Sequence, residues 1–399
     1  LCIAALISPL LVTLKTSIFP FVVPKVLFFC IMVELASLVY LILVWKNKNY
    51  LPVRNSILYA AIAFMAAVFL SAVFGVDWQN SWWGNFERME GVFTVLHCFI
   101  YFLILFSVFR FKKDWIHLFS FLLFVCIAVI FSGIIQYFTP QGETFLTLRG
   151  GQRVYGTLGN FIYFGQFSFF TFWLAALLMT QYQRKYRWFC VVVMILSVFG
   201  IYLAHSRGPL VAWLASIIFF GFISFWKIRQ TKYRFAILFG VDGLAGFLLS
   251  AMFFPNSLTN KVPIVSGLQE VSTRSGTADT RLMAWGIAWQ GFLERPVLGW
   301  GWFNYYVVFN KFYRPEFLEH GFTETWFDHA HSQYFDMLAM TGVVGTVAYL
   351  SIFFCLFYLL FKMYRRGKEQ RLVFICSSLL VGHLVNNIFV FEHPSSFII

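Results

Sequence analysis

His331 stands where a long polar loop meets an apolar run, in the string Asp328-His329-Ala330-His331-Ser332-Gln333. A titratable imidazole adds nothing to the packing of apolar spans. Its chemistry at such a boundary is proton transfer on a substrate arriving from the aqueous side. Two other readings compete. His329 and His331 form His-x-His with His320 nearby, which suggests zinc, yet alternate residues entering a helix point to different faces and no matching Asp/Glu/His helix occurs elsewhere. The other is a hydrogen-bonded structural histidine. Gly342 and Gly345, further along the same run, read as positions of close helix packing.

Two arginines fit anion binding. In Ala204-His205-Ser206-Arg207-Gly208-Pro209 the proline suits a first helical turn, so Arg207 lies beside free backbone donors and the positive end of a helix dipole. A guanidinium there adds bidentate phosphate recognition; an arginine snorkelling to the interface is the plainer reading. The second corner begins at Asp279 or Thr280, either of which can cap a helix that Pro296 ends. Arg281, Trp285, Ala288, Trp289 and Phe292 recur at spacings of three and four, which predicts a helix in the membrane interface with Arg281 at headgroup depth. Gly299-Trp300-Gly301-Trp302 reads as a turn with interfacial aromatics. Two looser clusters, Arg149/Gln152/Arg153 with Asn160 and Glu87/Arg88/Glu90, fit sugar or diphosphate contacts and fit interfacial salt bridges equally well.

These residues need a scaffold, and composition names its class. Of 399 residues 60% are hydrophobic and only 12% charged, with mean hydropathy +0.75, which leaves too little charge to cover a soluble domain. Apolar stretches long enough for a ~30 Å hydrocarbon layer recur from end to end. We read spans at 1–19, 21–45, 56–75, 91–109, 115–138, 161–180, 188–204, 209–226, 235–254, 333–361 and 372–391. The expected organisation is a transmembrane bundle over 1–254, an extracytoplasmic loop over 255–332 and C-terminal spans over 333–399. The start at Leu1 and the apolar Phe397-Ile398-Ile399 make both ends read as trimmed, with a twelfth span or further domain expected beyond them.

The net charge of +13 sits mostly in five short clusters: Lys46/Lys48/Arg54, Arg110/Lys112/Lys113, Arg184/Lys185/Arg187, Lys227/Arg229/Lys232/Arg234 and Lys362/Arg365/Arg366/Lys368/Arg371. All fall in alternate loops, hence on one side, which the positive-inside rule makes cytoplasmic. The excess is an orientation signal and not a nucleic-acid surface, with membrane lipids as secondary contacts. All seven cysteines lie in apolar segments without CxxC spacing, which predicts neither disulfide nor metal site.

Taken in order, these residues resemble the O-antigen ligase and O-antigen polymerase superfamily of bacterial envelope glycosyltransferases. Its signature is His, then Asn, Ser or Gln, nine residues, and Gly-x-x followed by Gly, Thr or Tyr. Here it reads His331-Ser332, nine residues, Gly342-Val343-Val344-Gly345. The resemblance implies an all-α polytopic membrane protein of about twelve transmembrane helices, glycosyltransferase-C-like, with a large extracytoplasmic loop carrying interfacial helices. It implies transfer of a glycan from polyprenyl (undecaprenyl) diphosphate to a hydroxyl of a lipid, glycan or protein acceptor, with inversion and without metal or other cofactor. The site would face the periplasm or exterior across the bacterial inner membrane. His331 would be the general base, and Arg207 and Arg281 would hold the diphosphate. Arg153, Arg88, His329, Ser332 and Asn160 would contact substrate. Ligase, polymerase and protein O-oligosaccharyltransferase remain alternatives within the superfamily. Outside it stands a lipid-linked glycan flippase, for which Glu34 and Asp242 are the sparse lumen candidates; the shape-and-division polymerases lack the His331 motif.

Overall fold

The computed structural model describes residues 1–13, 18–141, 143–145, 148–151, 153–227, 240, 243, 276–320, 325–394 and 396. Helices dominate: α1 (Cys2–Ala5), α2 (Val23–Lys46), α3 (Ser56–Val73), α4 (Trp78–Trp83), α5 (Val92–Val108), α6 (Lys112–Phe138), α7 (Phe161–Gln181), α8 (Arg184–Leu203), α9 (Arg207–Phe225), α10 (Gly276–Glu294), α11 (Tyr305–Lys311), α12 (Gln333–Arg365) and α13 (Gln370–Phe389). The pair β1 (Thr144–Phe145) and β2 (Leu148–Arg149) forms a short antiparallel hairpin. Among the described residues, α2, α3, α6, α7, α8, α9, α12 and α13 are long and apolar enough to cross a membrane, and α5 is apolar but shorter. The expected span at 235–254 lies outside the described residues, apart from positions 240 and 243.

The expected first span is corrected. Residues 1–13 hold only α1 and a 3-10 turn over Ser8–Leu10, because Pro9 lacks the N–H that a continuing helix needs. Lys25, in the first turn of α2, is buried, and its ammonium donates to the carbonyls of Leu11 at 2.8 Å, Phe21 at 2.6 Å and Thr157 at 2.6 Å. That contact knits the N-terminal segment to the entry of α7.

α7 is buried on nearly every side, as an all-round apolar helix must be. It packs along α8 and α6, while α9 lies on α13 and α3 on α12. The described basic loops meet on one face. Arg110 reaches the carbonyl of Asn49, Lys112 Nζ lies 2.7 Å from Glu369 Oε1, and Lys227 sits 5.7 Å from the Tyr364 ring centre.

The aromatic turn is corrected as well. Trp300 and Trp302 are buried, and their indole N–H groups donate to Gly291 O at 2.8 Å and Glu90 O at 2.7 Å. α10 turns Ala284, Ile287 and Ala288 onto Trp300, Tyr305, Phe309, Phe317 and Phe327, so its buried stripe packs on protein, while Trp289 remains exposed. This subdomain docks through a break in α12. At Gly342 φ is 61° and ψ −163°, a conformation that disfavours any side chain. The N–H of Val343 donates to Pro296 O at 2.8 Å, and Trp300 and Gly301 donate to Ala339 O at 3.0 Å and Met340 O at 2.9 Å. A β-carbon on Gly342 would lie 2.4 Å from Val297 O. The glycine thus serves a backbone crossing, a tighter constraint than helix–helix packing.

Candidate functional site

Two histidines two residues apart sit in unlike surroundings. Asp336, in the first turn of α12, accepts from Ala330 N at 2.7 Å and lies 3.1 Å from His329 Nδ1. On the other side of that ring, Nε2 is 3.3 Å from Glu90 Oε2. Phe391 stacks on the imidazole at 4.0 Å between centres and 10° between planes. Burial alone would lower the pKa of His329, but the Asp336 and Glu90 carboxylates override it and push it up to about 10. His329 is therefore a caged imidazolium.

His331 adopts the left-handed region at φ 55°, strained for a residue with a side chain. This turn reverses the chain between the cage and α12, whose N-cap is Ser332. The His331 ring meets Phe327 edge-on at 5.1 Å and Phe391 at 5.5 Å. Among the described residues none hydrogen-bonds its nitrogens. Burial, reinforced by the positive charges of Arg281, Arg88 and His329, holds its pKa down at about 3. The ring is neutral with an available lone pair.

Arg88 braces this arrangement from beneath. Asn85 Oδ1 caps its N–H at 2.8 Å, in a turn folded back so tightly that a β-carbon on Gly91 would sit 2.4 Å from Trp82 O. Its guanidinium donates to Asp328 through Nε at 3.0 Å and Nη2 at 3.2 Å, and through Nη1 to Tyr163 Oη at 3.1 Å. Burial would raise the Asp328 pKa, but His329 and Arg88 hold it down at about 2. The Arg88 fork is thus committed to protein groups.

The segment after α13 gathers the remaining elements. Arg281 Nη1 donates to Phe389 O at 3.4 Å. Gln333 N donates to Val390 O at 3.2 Å, and Gln333 Oε1 accepts from Glu392 N at 2.8 Å. The α9 entrance packs here too, since a β-carbon on Gly208 would lie 3.2 Å from Val390 Cγ2 and 3.3 Å from Phe389 Cβ. Arg207, the first residue of α9, keeps Nε and Nη2 buried with no acceptor among the described residues. The structure thus brings both arginine-bearing helix starts to one strip of backbone beside His331.

Residues 192–350 match the family model described as O-antigen ligase, and no curated protein matches the chain. That match supports the resemblance of the chain to the O-antigen ligase and polymerase superfamily. The matching region carries Arg207, Arg281, His329, His331, Ser332, Gly342 and Gly345. The groups that hold the O-antigen ligase motif in place, Arg88, Glu90, Tyr163 and Phe391, come from outside it.

The remaining expected contacts are engaged with protein groups. Arg153 is exposed, donating to His205 O at 3.2 Å with its guanidinium 3.6 Å over Phe161. Asn160 caps α7 by accepting from Ile162 N at 2.8 Å. Ser332 is buried with Oγ 3.5 Å from Asn387 O. Sequence reading passed over Asp336, Tyr163 and Phe391. Asp336 follows His329 by seven residues, and its place in the first turn of an apolar helix was the available signal. Among the described residues no group of three or more His, Cys, Asp or Glu is arranged to hold a metal ion.

Proposed function

We propose that this protein transfers a glycan from a polyprenyl diphosphate to an acceptor hydroxyl on the extracytoplasmic side of the bacterial inner membrane, as an O-antigen ligase-type glycosyltransferase. The observation that carries this reading is a half-buried His331 whose ring nitrogens no described residue hydrogen-bonds, set beside Arg281, Arg88 and His329, surroundings that hold its pKa down. In the reaction the acceptor oxygen attacks C1 of the donor sugar from the face opposite the diphosphate. Its proton passes to a ring nitrogen of His331, the C1–O bond breaks, and the bonding pair leaves on the diphosphate. The anomeric configuration inverts. Arg207 and Arg281 stabilise the charge that develops on the leaving group. Base catalysis contributes ~10²–10⁴ in rate, so positioning and charge stabilisation supply the rest. The arriving diphosphate also offsets the positive field that depresses His331, which makes the ring a better base once the donor is bound.

Protein in lipid nanodiscs, assayed with a polyprenyl-diphosphate glycan, tests these roles. His331→Ala should lose transfer and keep donor affinity. Arg207→Ala and Arg281→Ala should weaken donor binding roughly ten- to hundred-fold, the equivalent of a lost charge-assisted contact of about 1.5–3 kcal/mol. Near-normal transfer by His331→Ala would refute the general-base role.

A further inference from the structure

A cavity of about 210 Å³ is lined by Arg88 and Tyr163, which are hydrogen-bonded to each other. The segment before α2, the Glu87–Glu90 turn, the start of α7 and His393-Pro394 enclose it. Its cations are already engaged. Lys25 Nζ donates to three carbonyls, and Arg88 is held by Asp328 and Tyr163. The polar atoms left over are of another kind. Glu90 Oε1 and His393 Nε2 are buried without a hydrogen-bond partner among the described residues, on side chains that line the cavity and are only 3% exposed. An unmatched buried polar atom costs about 1–3 kcal/mol, so two lining one cavity mark a place for a ligand that supplies partners.

The chemistry of the lining selects that ligand. A carboxylate oxygen repels anions and accepts from hydroxyls. His393 stacks on Tyr163 at 3.6 Å with 22° between planes, and burial holds its pKa down at about 3, so its ring stays neutral and exchanges hydrogen bonds with a neutral group. Phe19, Phe21 and Val22 supply apolar wall against which the C–H face of a ring can lie. We infer that this cavity binds one neutral sugar ring, reading its hydroxyls through Glu90 Oε1 and His393 Nε2. This assignment rests on the glycan-transfer reading above, in which both substrates carry sugars. Glu90 links the two places, because its other oxygen touches the His329 cage. Occupancy of the cavity is thereby sensed beside the catalytic base.

Saturation-transfer NMR on the protein in nanodiscs, with methyl glucoside, methyl galactoside and methyl mannoside as probes and no donor present, tests the site. At least one glycoside should receive saturation at its ring C–H protons, and inorganic pyrophosphate should leave that signal unchanged. His393→Phe preserves the stack on Tyr163 and removes Nε2; it should weaken binding at least ten-fold. Val22→Trp should abolish binding by filling the space. The same signal must persist in His331→Ala, so failure of the base assignment and failure of this site are separable. Absence of any glycoside signal, displacement by pyrophosphate, or binding unaltered in both His393→Phe and Val22→Trp overturns the inference.

Discussion

The surroundings of His329 and His331 differ more than their separation along the chain suggests. His329 lies between two carboxylates under an aromatic plate and carries a locked charge. His331, beyond a left-handed turn, meets aromatic edges and nearby cations and stays neutral. One residue type is therefore a fixed positive brace in one place and, on the proposed function, a proton acceptor in the next. Environment assigns the role. The cage also accounts for the acidic groups gathered here, since Glu90 and Asp336 flank His329 and Asp328 accepts from the Arg88 fork.

The largest effect should come from breaking the cage. Asp336→Asn or His329→Ala strands buried charge and should cost about 3–5 kcal/mol, read as a large drop in thermal unfolding temperature. His331→Ala removes a ring that no described residue hydrogen-bonds and should leave that temperature close to wild type. Equal destabilisation by both histidine variants would erase the distinction.

Next in size is Arg88→Lys. An ammonium cannot reproduce the fork that holds Asp328 and Tyr163 together, so we expect a loss of about 1.5–3 kcal/mol in stability, with transfer falling in step as Asp328 loosens. Full activity and stability in Arg88→Lys would reduce the brace to a simple charge.

The pH dependence of stability sharpens the comparison further. Asp328, held at about 2 and below its ordinary range, contributes stability that is present above about pH 4 and lost as pH falls toward 2. His329, raised to about 10, contributes fully below about pH 6.5, and this is lost as pH climbs through 10. His331 and His393 are held at about 3, so the unfolded chain takes up their protons first and stability falls as pH drops from about 6.5 toward 3. Thermal unfolding scans should show an early acid limb that shrinks in His331→Ala and an alkaline limb that disappears in a folded His329 variant.

How much of this was legible beforehand follows physical lines. Membrane class and the gathering of basic loops depend on apolar length and charge spacing, both local properties, and the long apolar helices α2, α3, α6, α7, α8, α9, α12 and α13 followed from them. Pro9 shows the limit, since hydropathy outweighed a helix breaker in the reading of residues 1–19. His331, Arg207 and Arg281 stood out because each is a polar residue at the edge of an apolar segment. Their supports did not. Glu90 and Asp336 become partners only when chain segments 246 residues apart close on His329, and Phe391 reads as one more apolar residue until its ring lies on an imidazole. The aromatic turn misled for the same reason: tryptophan suits a membrane interface and a protein core alike, and the acceptors at Gly291 and Glu90 decide between them.

The most direct test of the central claim is the single-turnover transfer rate against pH with saturating donor, in wild type and in His331→Ala. Wild type should show an acid limb as His331 takes up a proton, at a higher pH than the corresponding limb in kcat/KM, because the bound diphosphate raises the basicity of the ring. The residual rate of His331→Ala should be flat across that range. An acid limb that persists unchanged in His331→Ala would contradict the account.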